Sequence, residues 1–461
     1  MTMQTFYLDE WLGQQIKAEA TTDTRLESNL RLNQGQLIRD SLEIFQLRKL
    51  QQIVTYGLRK SPFYRDLFAK HAVHPSMLLT LADLQRFPFT EPADIIKDPY
   101  RFLCVPMGDI ARIVTLTTSG STGEKKRIFF TDGDLRRIMD LLAANTRTVL
   151  GDEKGVVQIM LPGGTVLGQA DALAKGVAQA GSTPVVTGIT SDIEKQIESI
   201  TAQGSTTLVG YTYYLHRLTK LAREKAKLRD LGVKALVTTG EPIPVSVRDE
   251  LEQAWQAKVW CHYGLTEMGF NAGMGCAAGS GYHIHEGDYY AEVIEPHTGQ
   301  SLPDGAEGEL VMTTLARVGM PLIRYRTGDL ARIVPEKCTC GSLLKKIDMI
   351  TKRMGTGINL GTKEVYPSSF DESLFSLPPV LDYRLAVKED RDGARLTFFV
   401  ELVGSHQATP AIQGEIGKAI ARHPLLRQDG QSGKILFEVK FPATLGNAAG
   451  QFKRPGLFVD P

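Results

Sequence analysis

The sequence predicts an α/β protein with a helical N-terminal region, a large N-terminal domain and a small α+β C-terminal domain. Apolar residues recur at helical spacing near the N-terminus, and strand-like and helical segments alternate through the middle of the chain. After Ile347 the pattern changes. The predicted domains are residues 1–346, of which 1–95 form the helical region, and residues 347–461.

The helical region is predicted from about Leu26 to Ala72, where apolar residues at helical spacing are interspersed with Arg and Lys. Ser61-Pro62 interrupts the pattern, and a short helix is expected from Leu79 to Leu84.

Strand-like segments in the middle of the chain run into glycine and proline. Val156–Leu161 precedes Pro162-Gly163-Gly164, and Ala235–Gly240 precedes Glu241-Pro242. In an α/β sheet ligands bind beyond the carboxyl ends of the strands. We therefore expect the functional site at these turns.

The C-terminal domain is predicted from a strand pair, a helix and a further strand. The expected elements are Leu381–Lys388, Arg395–Leu402, a helix near Ile412–Arg422 and a strand at Lys434–Val439. This pattern indicates a small α+β unit.

Composition excludes several classes of protein. The chain has 461 residues, 42% of them hydrophobic and 23% charged, and a formal net charge of +1. This balance gives no electrostatic case for binding nucleic acid or an anionic membrane. No apolar run is long enough to span a bilayer, and the first ten residues lack the pattern of a signal peptide, so we expect a cytoplasmic protein.

The segment Thr117–Lys126 has a composition typical of a phosphate-binding loop. Glycines let backbone amides approach a polyphosphate, hydroxyls donate hydrogen bonds, and lysines neutralise charge. The spacing differs from the Walker A pattern. The candidate residues are Thr118, Ser119, Gly120, Ser121, Thr122, Gly123, Lys125 and Lys126.

Two further motifs follow in order, Tyr263-Gly264-Leu265-Thr266-Glu267 and Tyr325-Arg326-Thr327-Gly328-Asp329. With the Ser/Thr/Gly-rich segment, this set resembles the adenylate-forming (AMP-binding) ligases, and within them the phenylacetate–CoA ligase-like branch. Segments at residues 60–65 and 87–90 are similar to the N-terminal region of that branch, and the resemblance covers nearly the whole chain. It implies a large multi-sheet N-terminal adenylation domain and a mobile C-terminal domain.

The resemblance also implies roles for individual residues. The loop ending at Lys126 would close over the phosphates of ATP, Tyr263 would lie against the adenine of ATP or AMP, and Glu267 would hold Mg²⁺. Thr266 would contact the α-phosphate and Asp329 the ribose hydroxyls. The remaining nucleotide-binding candidates are Gly240, Glu241, Pro242, His262, Gly264 and Arg353.

The family carries a catalytic lysine in its C-terminal domain. Lys453, near a Gly-rich turn, is the candidate, and Lys434 is the alternative. Asp348 is the candidate hinge. The segment Lys363–Pro367 resembles the turn that enters the site for thioester formation, which implies that coenzyme A is the acceptor.

Four of the five cysteines fall in one third of the chain. Cys338-Thr339-Cys340-Gly341 is typical of a metal-binding turn, and Cys276 lies shortly before His283. Three thiolates and one imidazole can complete a tetrahedral structural zinc site, with His285 as the alternative nitrogen ligand. Four unrelated buried residues are the competing interpretation.

The leading hypothesis is an acyl–CoA ligase that activates an aromatic or aryl-alkyl carboxylic acid as acyl-AMP and then transfers it to CoA. A cofactor adenylyltransferase that acts without CoA, on a deazaflavin hydroxyl for example, is the alternative. A nucleotide-binding scaffold without turnover is the third. The expected partners are small molecules, with no nucleic acid and no membrane, and the resemblance leaves a homodimer open.

Overall fold

A computed structural model describes residues 7–23, 26, 32–33, 36–117, 125–360, 363–390, 393–404, 406–426, 434–445 and 458–459. The α-helices of these residues are Tyr7–Ala20, Arg39–Lys60, Pro62–Lys70, Pro92–Lys97, Asp132–Leu150, Gln169–Gln179, Ile193–Gln203, Thr212–Ala222, Val245–Trp255, Asp371–Phe375 and Pro410–Ala421. Short 3₁₀ helices are Pro75–Met77, Leu81–Arg86, Pro99–Phe102, Met107–Asp109, Leu228–Leu231, Thr266–Met268 and Pro424–Leu426.

The strands bear out the predicted alternation in the middle of the chain. They are Leu32–Asn33, Gln36–Leu37, Ile110–Thr117, Lys125–Thr131, Val156–Met160, Thr183–Val186, Thr207–Tyr211, Ala235–Thr239, Lys258–Tyr263, Gly273–Cys276, Gly279–Ile284, Tyr289–Ile294, Glu307–Thr314, Tyr325–Val334, Lys346–Ile347, Lys352–Arg353, Ile358–Leu360, Lys363–Val365, Val380–Asp390, Gly393–Leu402, Lys434–Lys440 and Phe458–Val459.

The chain forms two compact units. The first consists of the segments Met1–Lys154, Thr165–Ser182 and His262–Asp348. Its antiparallel strands follow the order Tyr289–Ile294, Glu307–Thr314, Tyr325–Val334, Lys346–Ile347, Gly279–Ile284 and Gly273–Cys276.

The strand Glu307–Thr314 is buried along almost its whole length, whereas Tyr325–Val334 buries alternate residues. The side chains at positions 325, 327 and 329 therefore share the buried face.

The second unit consists of Gly155–Gly164, Thr183–Cys261 and Met349–Pro461. It contains parallel strands in the order Thr183–Val186, Val156–Met160, Thr207–Tyr211 and Ala235–Thr239. Within this unit the helices Ile193–Gln203 and Thr212–Ala222 connect consecutive strands. The last two of these strands are buried along their full length, as expected for a parallel sheet covered on both faces.

The C-terminal part of the second unit contains the predicted α+β elements. Val380–Asp390 pairs antiparallel with Gly393–Leu402, which pairs in parallel with Lys434–Lys440. The helix Pro410–Ala421 buries Ile416 and Ile420. These bounds agree with the predicted strands and helix to within two residues.

One predicted element is wrong. Residues before Arg39 were expected to continue the helix, but Leu32–Asn33 pairs antiparallel with Gln36–Leu37. The sequence Asn33-Gln34-Gly35 favours a turn over a helix, and the helix begins only after Ile38, whose backbone is extended. The predicted break is confirmed, because Ser61 caps the helix Pro62–Lys70 by accepting from the Tyr64 amide.

No helix among the residues that the structure describes is long and apolar enough to cross a membrane.

Candidate active site

The Tyr263–Glu267 motif forms a tight turn in the first unit. Tyr263 ends its strand, and the 3₁₀ turn Thr266–Met268 follows at once. The Phe270 amide donates to the Leu265 carbonyl at 2.8 Å, which closes the turn. A Cβ at Gly264 would lie 1.9 Å from the Phe270 oxygen, so only glycine fits this position.

The turn places Glu267 in a buried hydrogen-bonded triangle. Lys126 Nζ lies 2.5 Å from Glu267 Oε1, the Tyr325 hydroxyl donates to the same oxygen at 2.8 Å, and Lys126 donates to the Tyr325 hydroxyl at 2.9 Å. Burial alone would raise the pKa of Glu267, but Lys126 and these hydrogen bonds lower it below its usual value. The carboxylate is therefore charged although it is buried.

Tyr263 and Asp329 are brought together directly. The Tyr263 hydroxyl donates to Asp329 Oδ2 at 2.7 Å, and both side chains are buried. The Asp329 amide donates to the Thr327 hydroxyl at 3.1 Å, which fixes the backbone at the carboxylate. Two residues with predicted roles toward adenine and ribose thus share one hydrogen bond.

The predicted phosphate loop joins two paired strands. Ile110–Thr117 and Lys125–Thr131 form an antiparallel hairpin in which Thr117 lies opposite Lys125. Lys126 is buried in the Glu267 triangle, whereas Lys125 is exposed. The other loop candidates, Thr118, Ser119, Gly120, Ser121, Thr122 and Gly123, lie outside the described residues.

Four nucleotide candidates, Gly240, Glu241, Pro242 and Arg353, belong to the second unit. Gly240 follows the strand Ala235–Thr239 with a φ of 78°, which favours glycine. The next residue, Glu241, accepts from the Thr212 hydroxyl through its carbonyl oxygen at 3.0 Å, and Pro242 is half-buried. Arg353 is exposed in a two-residue strand.

The structure describes only one of the two candidates for the catalytic lysine. Lys434 begins the strand Lys434–Lys440. Lys453 lies outside the described residues, so its assignment stays a prediction. Asp348, the candidate hinge, accepts from Arg332 Nε at 2.7 Å within the first unit.

His262 is half-buried and belongs to a neutral cluster around Asn271. The Nε2 atoms of His262 and His285 donate to Asn271 Oδ1 at 3.1 and 2.8 Å, and Asn145 donates to it at 2.9 Å. Burial lowers the pKa of His262 to about 4 although its hydrogen bond with Asn271 acts in the opposite direction. The imidazole is neutral near pH 7.

The structure brings Cys276, His283, Cys338 and Cys340 together in the first unit. The potential ligand atoms of Cys276, His283, Cys338 and Cys340 all lie within 4.8 Å of one another. The Cys276 and Cys338 sulfurs are 3.5 Å apart, and His283 Nε2 is 3.3 Å from the Cys340 sulfur. His283 Nδ1 donates to the Leu344 carbonyl at 2.9 Å, which directs Nε2 toward the sulfurs.

Sequence reasoning missed two residues that contact Glu267. Tyr325 completes the triangle, and the buried guanidinium of Arg317 donates to the Glu267 carbonyl. Period-two alternation back from Asp329 would have placed Tyr325 on the same face of the strand. Arg317 carries no comparable signal, because it lies outside both motifs.

Comparison with known proteins identifies the family of the chain. The family model "AMP-binding enzyme" matches residues 78–316. Phenylacetate-coenzyme A ligase of Aromatoleum evansii is 31% identical over 86% of this chain and 90% of its own. The enzyme of that name from Thermus thermophilus is 31% identical over 77% of this chain and 80% of its own. The chain belongs to the AMP-binding enzyme family.

Solved structures share the fold. A 2-hydroxyisobutyryl-CoA ligase in complex with 2-HIB-AMP matches with a TM-score of 0.78 at 22% identity, over 90% of this chain and 89% of its own. The predicted fold class, the family and an AMP-forming acid–thiol ligase resembling phenylacetate–CoA ligase are confirmed.

Proposed function

We propose that this protein activates an aromatic or aryl-alkyl carboxylic acid as acyl-AMP and transfers the acyl group to coenzyme A. The observation that carries the proposal is the arrangement in the first unit, where Glu267, Lys126 and Tyr325 converge and Tyr263 bonds Asp329. Family membership and similarity to phenylacetate–CoA ligases support it.

The residues of the first unit have complementary roles in nucleotide binding. Tyr263 offers a flat ring to adenine and Asp329 accepts from the ribose hydroxyls, while Thr266 contacts the α-phosphate. Glu267 would hold Mg²⁺, which prefers carboxylate oxygen and which, when bound, neutralises phosphate charge. The donor set fits, because the Glu267 carboxylate is charged although it is buried, and a charged carboxylate suits a hard cation.

Residues 118–123, Lys125 and Lys126 would surround the β- and γ-phosphates, and Gly240, Glu241 and Pro242 would line the adenine pocket. Lys453, with Lys434 as the alternative, would bridge the carboxylate and the α-phosphate. His262, which bonds Asn271, would line the nucleotide site next to Tyr263, and Arg353 would contact the ribose or phosphate. Each of these assignments can be tested by substituting the residue that it names.

The chemistry consists of two displacements. A carboxylate oxygen attacks the α-phosphorus, the bond to the bridging oxygen breaks, and pyrophosphate leaves with that electron pair. The CoA thiol then attacks the acyl carbon, AMP leaves, and the thiol proton passes to solvent. Negative charge accumulates on phosphate oxygens in the first step, so positioned cations and hydrogen-bond donors provide the stabilisation.

An aromatic acid is favoured by the tyrosines at one strand end of the second unit. Tyr211 ends the strand Thr207–Tyr211 and is buried, and Tyr213 and Tyr214 follow on the next helix. The Tyr213 hydroxyl bonds Asp371, and the Tyr214 hydroxyl donates to the Thr190 carbonyl at 3.1 Å. Rings fixed in this way can form rigid walls for a planar substrate.

The test is AMP formation from MgATP with a panel of aryl, aryl-alkyl and aliphatic acids, with and without CoA. AMP release that requires an aromatic acid and CoA is the expected result. Release that favours aliphatic acids would contradict the aromatic assignment. ATP-dependent labelling of a hydroxyl acceptor without CoA would replace the ligase by an adenylyltransferase.

We also propose that Cys276, His283, Cys338 and Cys340 hold a structural zinc ion. Three sulfurs and one imidazole nitrogen are the donor set that zinc prefers, and their separations suit a common tetrahedral centre. Lys346 Nζ lies 3.9 Å from the Cys338 sulfur, which compensates part of the thiolate charge. His283, and not His285, belongs to the group whose ligand atoms lie within 4.8 Å of one another, so we assign His283 as the nitrogen ligand.

Elemental analysis of the protein, purified without chelator, tests this site. One zinc per chain is expected, falling in Cys340→Ser. Zinc-free wild-type protein would contradict the site.

A further inference from the structure

The Glu267 triangle is assembled from three distant parts of the chain. Lys126 lies on a hairpin strand, Glu267 on the turn after Tyr263, and Tyr325 at the start of the strand Tyr325–Val334. The side chains of Lys126 and Glu267 are 9% and 7% exposed. A carboxylate in such a place is costly unless a cation or hydrogen bonds compensate its charge.

Lys126 supplies that compensation. Its ammonium group touches Glu267 Oε1, and it lies 5.7 Å from the centre of the Tyr325 ring. Tyr325 is held independently, because its backbone pairs with Met312 and the next amide, of Arg326, donates to the Thr90 carbonyl at 3.0 Å. The tyrosine is therefore a fixed element, while the lysine is a long side chain with several rotatable bonds.

The proposed function makes two demands on this pair. Glu267 is to hold Mg²⁺, and Lys126 is to face the phosphates of ATP. Lys126 and Tyr325 both contact the same oxygen, Oε1, and a divalent cation bound by this carboxylate would lie close to the Lys126 ammonium, which repels it. Lys126 and a divalent cation thus compete for Glu267.

We propose that Lys126 is an exchangeable counter-ion of Glu267, which leaves the carboxylate for the phosphates when a divalent cation binds, and that Tyr325 is the positioning residue that holds the carboxylate in both states. The inference rests on the proposed function. It gives the Lys126–Glu267 ion pair a purpose beyond stability: the carboxylate remains neutralised before nucleotide arrives.

The exchange predicts effects of opposite sign for one substitution. Lys126→Met removes the competitor, so Mn²⁺ alone should bind more tightly than to the wild type. The same change removes a phosphate contact, so ATP should bind more weakly. A lysine that only binds phosphate would alter ATP binding alone, and a purely structural lysine would weaken both.

The experiment is a titration with Mn²⁺, without nucleotide, followed by the electron paramagnetic resonance signal of free Mn²⁺. We expect the affinity to rise about tenfold in Lys126→Met, as when a charged hydrogen-bond partner is removed from the carboxylate. Lys126→Gln should give the same direction and keeps a polar partner for Glu267 should the Met variant fold poorly. Lys97→Met removes an exposed charge elsewhere in the first unit and should leave Mn²⁺ affinity unchanged.

Thermal unfolding supplies a second readout. Mn²⁺ should raise the midpoint of Lys126→Met more than that of the wild type, and the gain should vanish in the double variant Lys126→Met/Glu267→Gln. Unchanged Mn²⁺ affinity in both folded lysine variants would overturn the exchange.

The exchange and the proposed function can fail separately. Wild-type protein that makes AMP with acid and CoA, while the lysine variants gain no Mn²⁺ affinity, contradicts the exchange alone. Tighter Mn²⁺ binding in the variants of a protein that activates no acid contradicts the proposed function and supports the counter-ion.

Discussion

Two clusters of the first unit are proposed above to bind cations, and they differ in how many ligands they offer. The Cys276, His283, Cys338 and Cys340 cluster offers four soft donors within 4.8 Å. The Glu267 triangle offers one hard carboxylate whose present cation is a lysine. A four-donor site leaves no open position on zinc, whereas a single carboxylate leaves room for substrate oxygens and water around Mg²⁺.

Both sites are fixed through the backbone, but at different points. In the cysteine cluster the Leu344 carbonyl fixes a ligand itself, His283. In the triangle Arg317 holds the Glu267 carbonyl and Tyr325 holds its side chain, so the carboxylate is placed while its cation can change. Under the two proposals, the cysteine cluster would contribute to stability and the Glu267 triangle to turnover.

The largest expected effect of a substitution is on the stability that the cysteine cluster provides. Cys340→Ser should lose zinc and with it about 4 kcal/mol of unfolding free energy, the linkage value for a ligand at roughly 1,000 times its dissociation constant. Denaturant unfolding with and without chelator measures this. Cys104→Ser, at a buried cysteine outside the cluster, should keep full zinc content. A Cys340→Ser protein with normal zinc would break the comparison.

Substitutions in the Glu267 triangle should affect catalysis. Glu267→Gln should lower acid-dependent pyrophosphate exchange by about 10²–10³-fold, the size expected when one stabilising group of a transition state is lost. Glu292→Gln removes another buried carboxylate, which pairs with Arg324 at 3.0 Å. It should cost about 3 kcal/mol of stability without lowering the activity of folded protein. Equal losses of activity in Glu267→Gln and Glu292→Gln would contradict the proposed catalytic role of Glu267.

The sequence predicted each motif but not their pairing. The Tyr263–Glu267 and Tyr325–Asp329 segments are short and contiguous, so their composition alone identified them. Lys126 and Glu267 are 141 residues apart, and only the folded sheet brings them together. The cysteine cluster was predictable because Cys338 and Cys340 share one turn.

Fold class followed from periodicity, which tertiary contacts preserve in the long elements. Leu32–Asn33 and Gln36–Leu37 were missed because two-residue strands carry no periodic signal. Local sequence therefore predicts elements and motifs, and tertiary pairing decides which charged groups meet.

A third polar cluster, around Asn271, differs from the other two because its histidines are neutral and no cation is proposed to bind there. Between the ordinary pKa of 6.5 and about 4, His262 binds a proton in the unfolded chain but not in the folded protein. The unfolding free energy should therefore fall as pH drops through this window, by about 3 kcal/mol from this group. Denaturant unfolding at pH 7 and pH 5 should show a shallower dependence in His262→Gln. His71→Gln, at an exposed histidine, should leave the slope unchanged.

The smallest expected effect is that of removing the Tyr325 hydroxyl, which tests whether Tyr325 positions the carboxylate of the Glu267 triangle. Tyr325→Phe keeps the Lys126–Glu267 ion pair and removes the hydroxyl that bonds both residues. One buried hydrogen bond is worth about 1 kcal/mol, so the KM for MgATP should rise about fivefold. Because the carboxylate would be less well placed, the pyrophosphate-exchange rate should fall at saturating MgATP as well. Tyr64→Phe removes a comparably buried hydroxyl, which accepts from the Ile323 amide at 2.8 Å. It should lower stability and leave the KM unchanged. If both variants changed only stability, Tyr325 would be a packing residue. MgATP binding at the Glu267 triangle would then depend only on the charges of Lys126 and Glu267.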